Sequence, residues 1–152
     1  MASQTLGVTY KRPESVLVLV YTSLGDVLML RRTRPTQFWQ SVTGSLNWGE
    51  SPRQAALREL YEETGLRASH LLADCRRWVR FPIVEPWRRR YAPGTRTNLE
   101  HWFRLQLPDH RLVRLNPAEH TGMRWLPLDR AARLASSWSN RQAILSLRGP
   151  QR

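Results

Sequence analysis

Residues 44–66 read GSLNWGESPRQAALRELYEETGL, from Gly44 to Leu66, and the arrangement of the rest of the chain follows from this stretch. Ser51 stands where a helix N-cap belongs, Pro52 suits the first helical position, and Gln54 completes a capping-box spacing. Gly65 supplies a left-handed stop, so the pattern predicts a helix over Pro52–Thr64. At about 100° per residue, Leu57, Leu60, Tyr61 and Thr64 share one arc while Glu59, Glu62 and Glu63 occupy the opposite one. The helix is therefore expected to bury its apolar arc and to present three carboxylates on the other side. Ala55 and Ala56 lie close to that acidic side, and their small side chains leave room for another group. Like charges three and four residues apart repel, and a cation relieves the repulsion. Two readings stay open: a solvated acidic face, with Arg58 four residues before Glu62, or oxygen ligands for Mg²⁺ or Mn²⁺.

Working outward, Ser15–Tyr21 (SVLVLVY) and Val27–Leu30 (VLML) read as a hairpin across Thr22-Ser23-Leu24-Gly25-Asp26. Phe38–Thr43 is a third strand, stopped by Gly44. Cys75–Ile83 alternates at Cys75, Val79, Phe81 and Ile83, although Arg77 and Trp78 blur the pattern; Leu99–Leu107 alternates more cleanly. Glu85–Asn98 between them, with two prolines, a glycine and four arginines, is a long loop, and such loops are usually functional or mobile. Met123–Leu126 is a further strand. Helices are predicted from near Asp129 and after Ser139, where Ser139 and Gln142 have capping-box spacing. Helices set among strands give an α/β fold with a mixed sheet packed by helices.

The 152 residues fit one domain, 1–152, with no repeat or linker to divide it. The longest apolar run, Val16–Tyr21, is far short of a membrane span, and the opening MASQTLGVTYKRP has no stretch suited to a secretory signal. A lone Cys75 makes no internal disulfide, so the expected compartment is the cytoplasm. Twenty-four basic residues against 12 acidic give a net charge of +12, and Lys11 is the one lysine among them. Such a surface attracts anions: a nucleic acid, an anionic membrane or a phosphorylated small molecule. Biased genome composition also produces an arginine excess, so charge alone selects no function.

The fuller pattern of residues 44–66 does. It matches at every specified position the signature G-x(5)-E-x(7)-R-E-U-x-E-E-x-G-U, with U apolar, and so resembles the Nudix hydrolases. The resemblance implies an α/β/α sandwich with a mixed β-sheet, and hydrolysis of a diphosphate linked to another moiety. It implies that Glu59 and Glu63 bind metal, Mg²⁺ or alternatively Mn²⁺, with Glu62 adding a direct or water-mediated contact. Arg58 then orients the carboxylates, Gly44 permits a sharp exit from its strand, and Glu50 folds the loop over the helix start. Glu62 and the distant Glu119, in NPAEH, are the candidates for the general base, and Glu119 is also a candidate ligand.

Tyr10-Lys11-Arg12-Pro13, Phe38–Gly44 (FWQSVTG), Arg90–Gly94 (RYAPG) and Ser137–Ile144 (SWSNRQAI) further resemble the bacterial branch that removes pyrophosphate from dihydroneopterin triphosphate. That resemblance runs from Tyr10 to Ile144 and implies a small-molecule triphosphate as partner. Lys11 and Arg32 are the leading phosphate contacts, with Thr43 a hydroxyl partner. Phe81, Pro82, Ile83 and Val84 are candidates for a pterin wall, and Ser137 for closing the pocket. Asn47-Trp48 departs from the branch, where acidic residues are common in that stretch. Hydrolysis of damaged deoxynucleoside triphosphates is the alternative activity. Specific nucleic-acid binding is disfavoured, because the arginines are scattered and no recognition motif is present. Nothing in the sequence requires more than a monomer.

Overall fold

Both faces of Ser15–Tyr21 are buried, and the other elements are arranged around that strand. A computed structural model describes residues 4–5 and 8–149; the ends of the expected single domain beyond these, with residues 6–7, lie outside the described residues. In chain order the elements are β1 (Gln4–Thr5), β2 (Val8–Thr9), β3 (Glu14–Thr22), β4 (Asp26–Arg32), β5 (Trp39–Gln40), β6 (Val42–Ser45), α1 (Pro52–Thr64), β7 (Ala73–Pro82), a 3₁₀ turn (Arg88–Arg90), β8 (Thr97–Leu107), β9 (His120–Pro127), α2 (Leu128–Leu134) and α3 (Trp138–Ser146).

β1 and β2 form a two-stranded ribbon, and the other strands form a seven-stranded mixed sheet. β3 runs parallel to β8 over nine residue pairs, from Glu14 opposite Leu99 to Thr22 opposite Leu107, while the remaining ladders are antiparallel. Val16, Val18 and Val20 join Leu60, Phe103 and Leu105 in the core under α1. Leu17 and Leu19 join Trp102, Ala143 and Ile144 in the core under α2 and α3. A strand covered on both faces reads as a continuous apolar run, which is why SVLVLVY lacks alternation. The α/β/α sandwich holds.

Four local expectations need correction. β3 and β4 pair only at Tyr21 and Val27, next to the turn; farther along, β6 takes the place beside β3, and β4 pairs with β9 and β5. The expected third strand is two, and Gly44 lies inside the second, opposite Val16. The blur at Arg77 and Trp78 is a bulge: the β7–β8 register shifts between Asp74 and Trp78, and Arg76 has a φ of 55°. α3 begins at Trp138 because the Ser137 side chain, rather than that of Ser139, accepts the Asn140 N–H as N-cap.

Candidate active site

The α1 bounds follow from its caps. Ser51 and Gln54 exchange both capping-box hydrogen bonds, and Gly65 closes the helix at φ 77° with its N–H on the Tyr61 carbonyl. The buried face differs from the expected arc. Ala55, Ala56, Glu59, Leu60, Glu63 and Thr64 are buried, whereas Leu57 and Tyr61 are half-buried and Glu62 alone of the three acids is exposed. Two small alanines allow α1 close to the sheet, and Gly44 on β6 leaves the space that the Glu59 carboxylate fills; a Cβ there would overlap it. The requirement at Gly44 is thus room for a side chain rather than a sharp exit.

Arg58 holds the acids in register. Its Nε and Nη2 donate to the two Glu50 oxygens at 2.8 Å each, its Nη1 to Glu59 at 2.7 Å and Glu62 at 3.3 Å, and its Nη2 also to the Ser45 carbonyl. The Glu50 carboxyl, hydrogen-bonded by Arg58, lies below its usual range. Burial, opposed by the neighbouring Glu63 side chain and by a hydrogen bond from Arg58, raises Glu59. Glu63 is 1% exposed, both its oxygens lack hydrogen-bond partners, and burial beside Glu59 lifts it well above the usual range.

His120, which the sequence reading passed over, completes this centre. It is 2% exposed, its Nε2 lies 3.1 Å from Gln40 Nε2 and 3.7 Å from Glu63 Oε1, and its Nδ1 has no partner. Burial, with Arg32 nearby, pushes it down to about 4, so the ring is neutral near neutrality. Ligand atoms of Glu63, Glu119 and His120 all lie within 4.8 Å of one another, with Glu119 exposed at the rim. Unpaired buried oxygens and a neutral imidazole suit a divalent cation, which satisfies polar atoms that nothing else reaches. Glu59 abuts this cluster through Glu63, but Arg58 already occupies its Oε1.

A NUDIX domain model matches residues 11–147. The chain belongs to the Nudix family. It is 49% identical over 139 residues to the dihydroneopterin triphosphate diphosphatase of Escherichia coli, covering 89% of this chain and 91% of that protein. The protein of the same name from Haemophilus influenzae is 37% identical over 89% of this chain and 87% of its own length. The solved structure of the E. coli dihydroneopterin triphosphate pyrophosphohydrolase superposes with a TM-score of 0.83 at 47% identity, covering 89% of this chain and 94% of that one.

Around the Nudix helix the other candidate residues divide. Lys11 and Arg32 converge on the acids: burial and the cations Arg90 and Arg32 lower Lys11, while Glu59 and Glu119 oppose them. Arg32 Nε donates to the Arg34 carbonyl. Thr43 is less available than expected, since its hydroxyl donates to the Val16 carbonyl. Of the proposed wall, Ile83 is buried, Phe81 is half-buried, Val84 is exposed, and Pro82 lines a cavity of about 820 Å³ with Tyr10, Tyr91 and Thr97. The Ser137 hydroxyl accepts the Asn140 N–H as the α3 N-cap and lies 3.5 Å from the Ser139 hydroxyl.

The four segments of the closer resemblance meet in pairs. The Lys11 N–H donates to the Arg90 carbonyl, joining KRP to RYAPG. Ser41 and Asn140 exchange two hydrogen bonds and Trp39 N–H donates to Ser136 Oγ, joining FWQSVTG to the start of α3. Trp48, the departure inside the signature, donates its Nε1–H to the Tyr10 carbonyl and thereby anchors the segment that carries Lys11. None of the helices among the described residues is long and apolar enough to cross a membrane.

Proposed function

We propose that this Nudix protein hydrolyses dihydroneopterin triphosphate to the monophosphate and pyrophosphate. The observation that carries the hydrolytic reading is the buried, unpartnered Glu63 carboxylate beside Glu59, Glu119 and His120, at the place where Lys11 and Arg32 converge. The choice of substrate rests on the two relatives whose names specify it and on near-complete coverage of both.

Glu63, Glu119 and His120 would hold the cation, with Glu59 adjoining; Mg²⁺ is the expected ion and Mn²⁺ a substitute. Bound there, a divalent cation supplies positive charge to phosphate oxygens as they become more negative. Arg58 fixes the carboxylates, and the Glu50 fork keeps Arg58 from turning away. Lys11 and Arg32 bind the phosphates. Glu119 is the better supported acceptor for the water proton, because it is exposed at the cluster while Glu62 pairs with Arg58. Phe81 and Pro82 flank the pterin. We further assign the chain to the cytoplasm as a single domain.

Cleavage of damaged deoxynucleoside triphosphates is the competing activity, since guanine and pterin share an aminopyrimidinone edge. Steady-state comparison of dihydroneopterin triphosphate with dGTP and 8-oxo-dGTP decides: a higher kcat/KM for the pterin supports the proposal, and a higher value for either nucleotide overturns it.

A further inference from the structure

On the sheet face opposite α1 lies a second buried polar cluster that phosphate chemistry does not use. Ser15, Asn98, Glu100 and Ser139 are 7%, 2%, 4% and 4% exposed. Glu100 Oε1 accepts the Trp102 Nε1–H at 3.0 Å, and the Ser139 side chain also bears on its carboxyl. Asn98 Nδ2 donates to Ser15 Oγ at 2.7 Å, but Asn98 Oδ1 is buried with no partner. A buried carboxyl held by neutral donors alone, next to an amide oxygen with no donor, lacks the hydrogen-bond donors that would stabilise its ionised form and that a ligand can bring.

The cluster is linked to the cavity and to the Lys11 segment through Ser45 and Tyr91. Cross-strand pairing puts Phe81 beside Asn98 and Val79 beside Glu100 on the same face; the next pair, Pro82 and Thr97, lines the cavity from the other face of the sheet edge. Ser15 pairs with both Ser45 and Glu100, and Ser45 interacts with the side chain of Tyr91, another cavity residue. Lys11 Nζ stands 6.0 Å from the centre of the Tyr91 ring. β6, which carries Gly44, and β8, which carries Glu100, are two strand spacings apart, about 10 Å, with Gly44 facing α1 and Glu100 the opposite side of the sheet. A pterin joined through a three-carbon chain to its phosphates spans a distance of that order.

We infer that Asn98 and Glu100 bind the 2-amino-4-oxo edge of the pterin. This rests on the substrate reading above. The ring's N3–H and one 2-amino hydrogen form a side-by-side donor pair that a carboxylate accepts in bidentate fashion, and the second 2-amino hydrogen satisfies Asn98 Oδ1. Phe81 and Val79 supply the apolar flank. A heterocycle lacking the amino group leaves both acceptors short of donors, so the site discriminates against it.

Fluorescence titration of the metal-free protein with neopterin, which has no phosphate, and with its 2,4-dioxo counterpart tests this. The wild-type protein should bind neopterin about 10-fold or more tighter than the dioxo compound. Glu100→Gln should weaken neopterin binding about 10- to 100-fold, while inhibition by inorganic tripolyphosphate in Mg²⁺ stays at the wild-type level. Equal affinity for the two heterocycles, no binding of neopterin, or wild-type affinity in the variant overturns the inference. The two-ligand comparison uses unmodified protein and so does not depend on how the variant folds. Failure of the substrate reading is a separate signal: it appears as a preference for dGTP or 8-oxo-dGTP in turnover, whatever the neopterin titration gives.

Discussion

Gly44 on β6 and Glu59 on α1 are complementary: the carboxylate fills the space that any other residue's Cβ would occupy. The signature glycine and the signature glutamate are thus one packing unit, joined to Arg58 through Glu59 Oε1. Gly44→Ala should push the carboxylate out of place. Loss of about 1–3 kcal/mol in unfolding free energy is expected from overpacking, together with a fall in kcat of about 100-fold, since small displacements of catalytic groups have effects of that size. Denaturant melts and steady-state rates check both.

Glu63 separates stability from activity. Glu63→Gln removes a buried carboxyl whose charge is disfavoured by burial and by the adjacent Glu59, so the metal-free variant should be at least as stable as wild type. Pyrophosphate release should nonetheless fall about 1,000-fold or more, as electrostatic stabilisation is usually the largest catalytic contribution. A destabilised variant with near-normal turnover would contradict both the burial argument and the ligand assignment.

Arg58→Lys keeps the charge and loses the planar fork that grips both Glu50 oxygens. Mn²⁺ affinity, followed by electron paramagnetic resonance, should weaken about 10- to 100-fold, the range found when groups supporting metal ligands are removed. Unchanged affinity would show that the acids need no such support.

Glu100 makes stability depend on pH. Burial lifts its carboxyl from 4.5 to about 7. The unfolded chain releases that proton near 4.5 and the folded chain keeps it to about 7, so the group favours folding below 4.5 and opposes it increasingly as pH rises through that window. Glu100→Gln removes this slope. Its unfolding free energy relative to wild type should rise by on the order of 3 kcal/mol between pH 4.5 and 8. A difference that stays flat with pH would show that Glu100 is not held as buried as it is here.

How far the chain could be read without coordinates depends on how local each signal is. The bounds of α1 were legible because Ser51, Pro52, Gln54 and Gly65 act within one turn of the helix ends. Its buried face was not, because periodicity assigns the interior to the apolar arc, whereas Ala55, Ala56 and Gly44 bring Glu59 and Glu63 inside. The hairpin at Gly25 was visible, but the splay of β3 from β4 depends on β6 entering beside β3, a pairing between distant segments. His120 was passed over although it adjoins Glu119. A single histidine has no local signature, and its place opposite Arg32 is set by the β4–β9 register. For α3, serines 137 and 139 both precede a run that can be capped, and docking of Ser136 on Trp39 selects the first.

The most direct test is the Mg²⁺ dependence of product formation from dihydroneopterin triphosphate by the wild-type protein. Pyrophosphate and dihydroneopterin monophosphate should appear in equal amounts, rise to saturation with added Mg²⁺, and be absent in excess chelator. Turnover that survives the chelator, or release of orthophosphate in place of pyrophosphate, would contradict a cation-dependent pyrophosphohydrolase built on the α1 carboxylates.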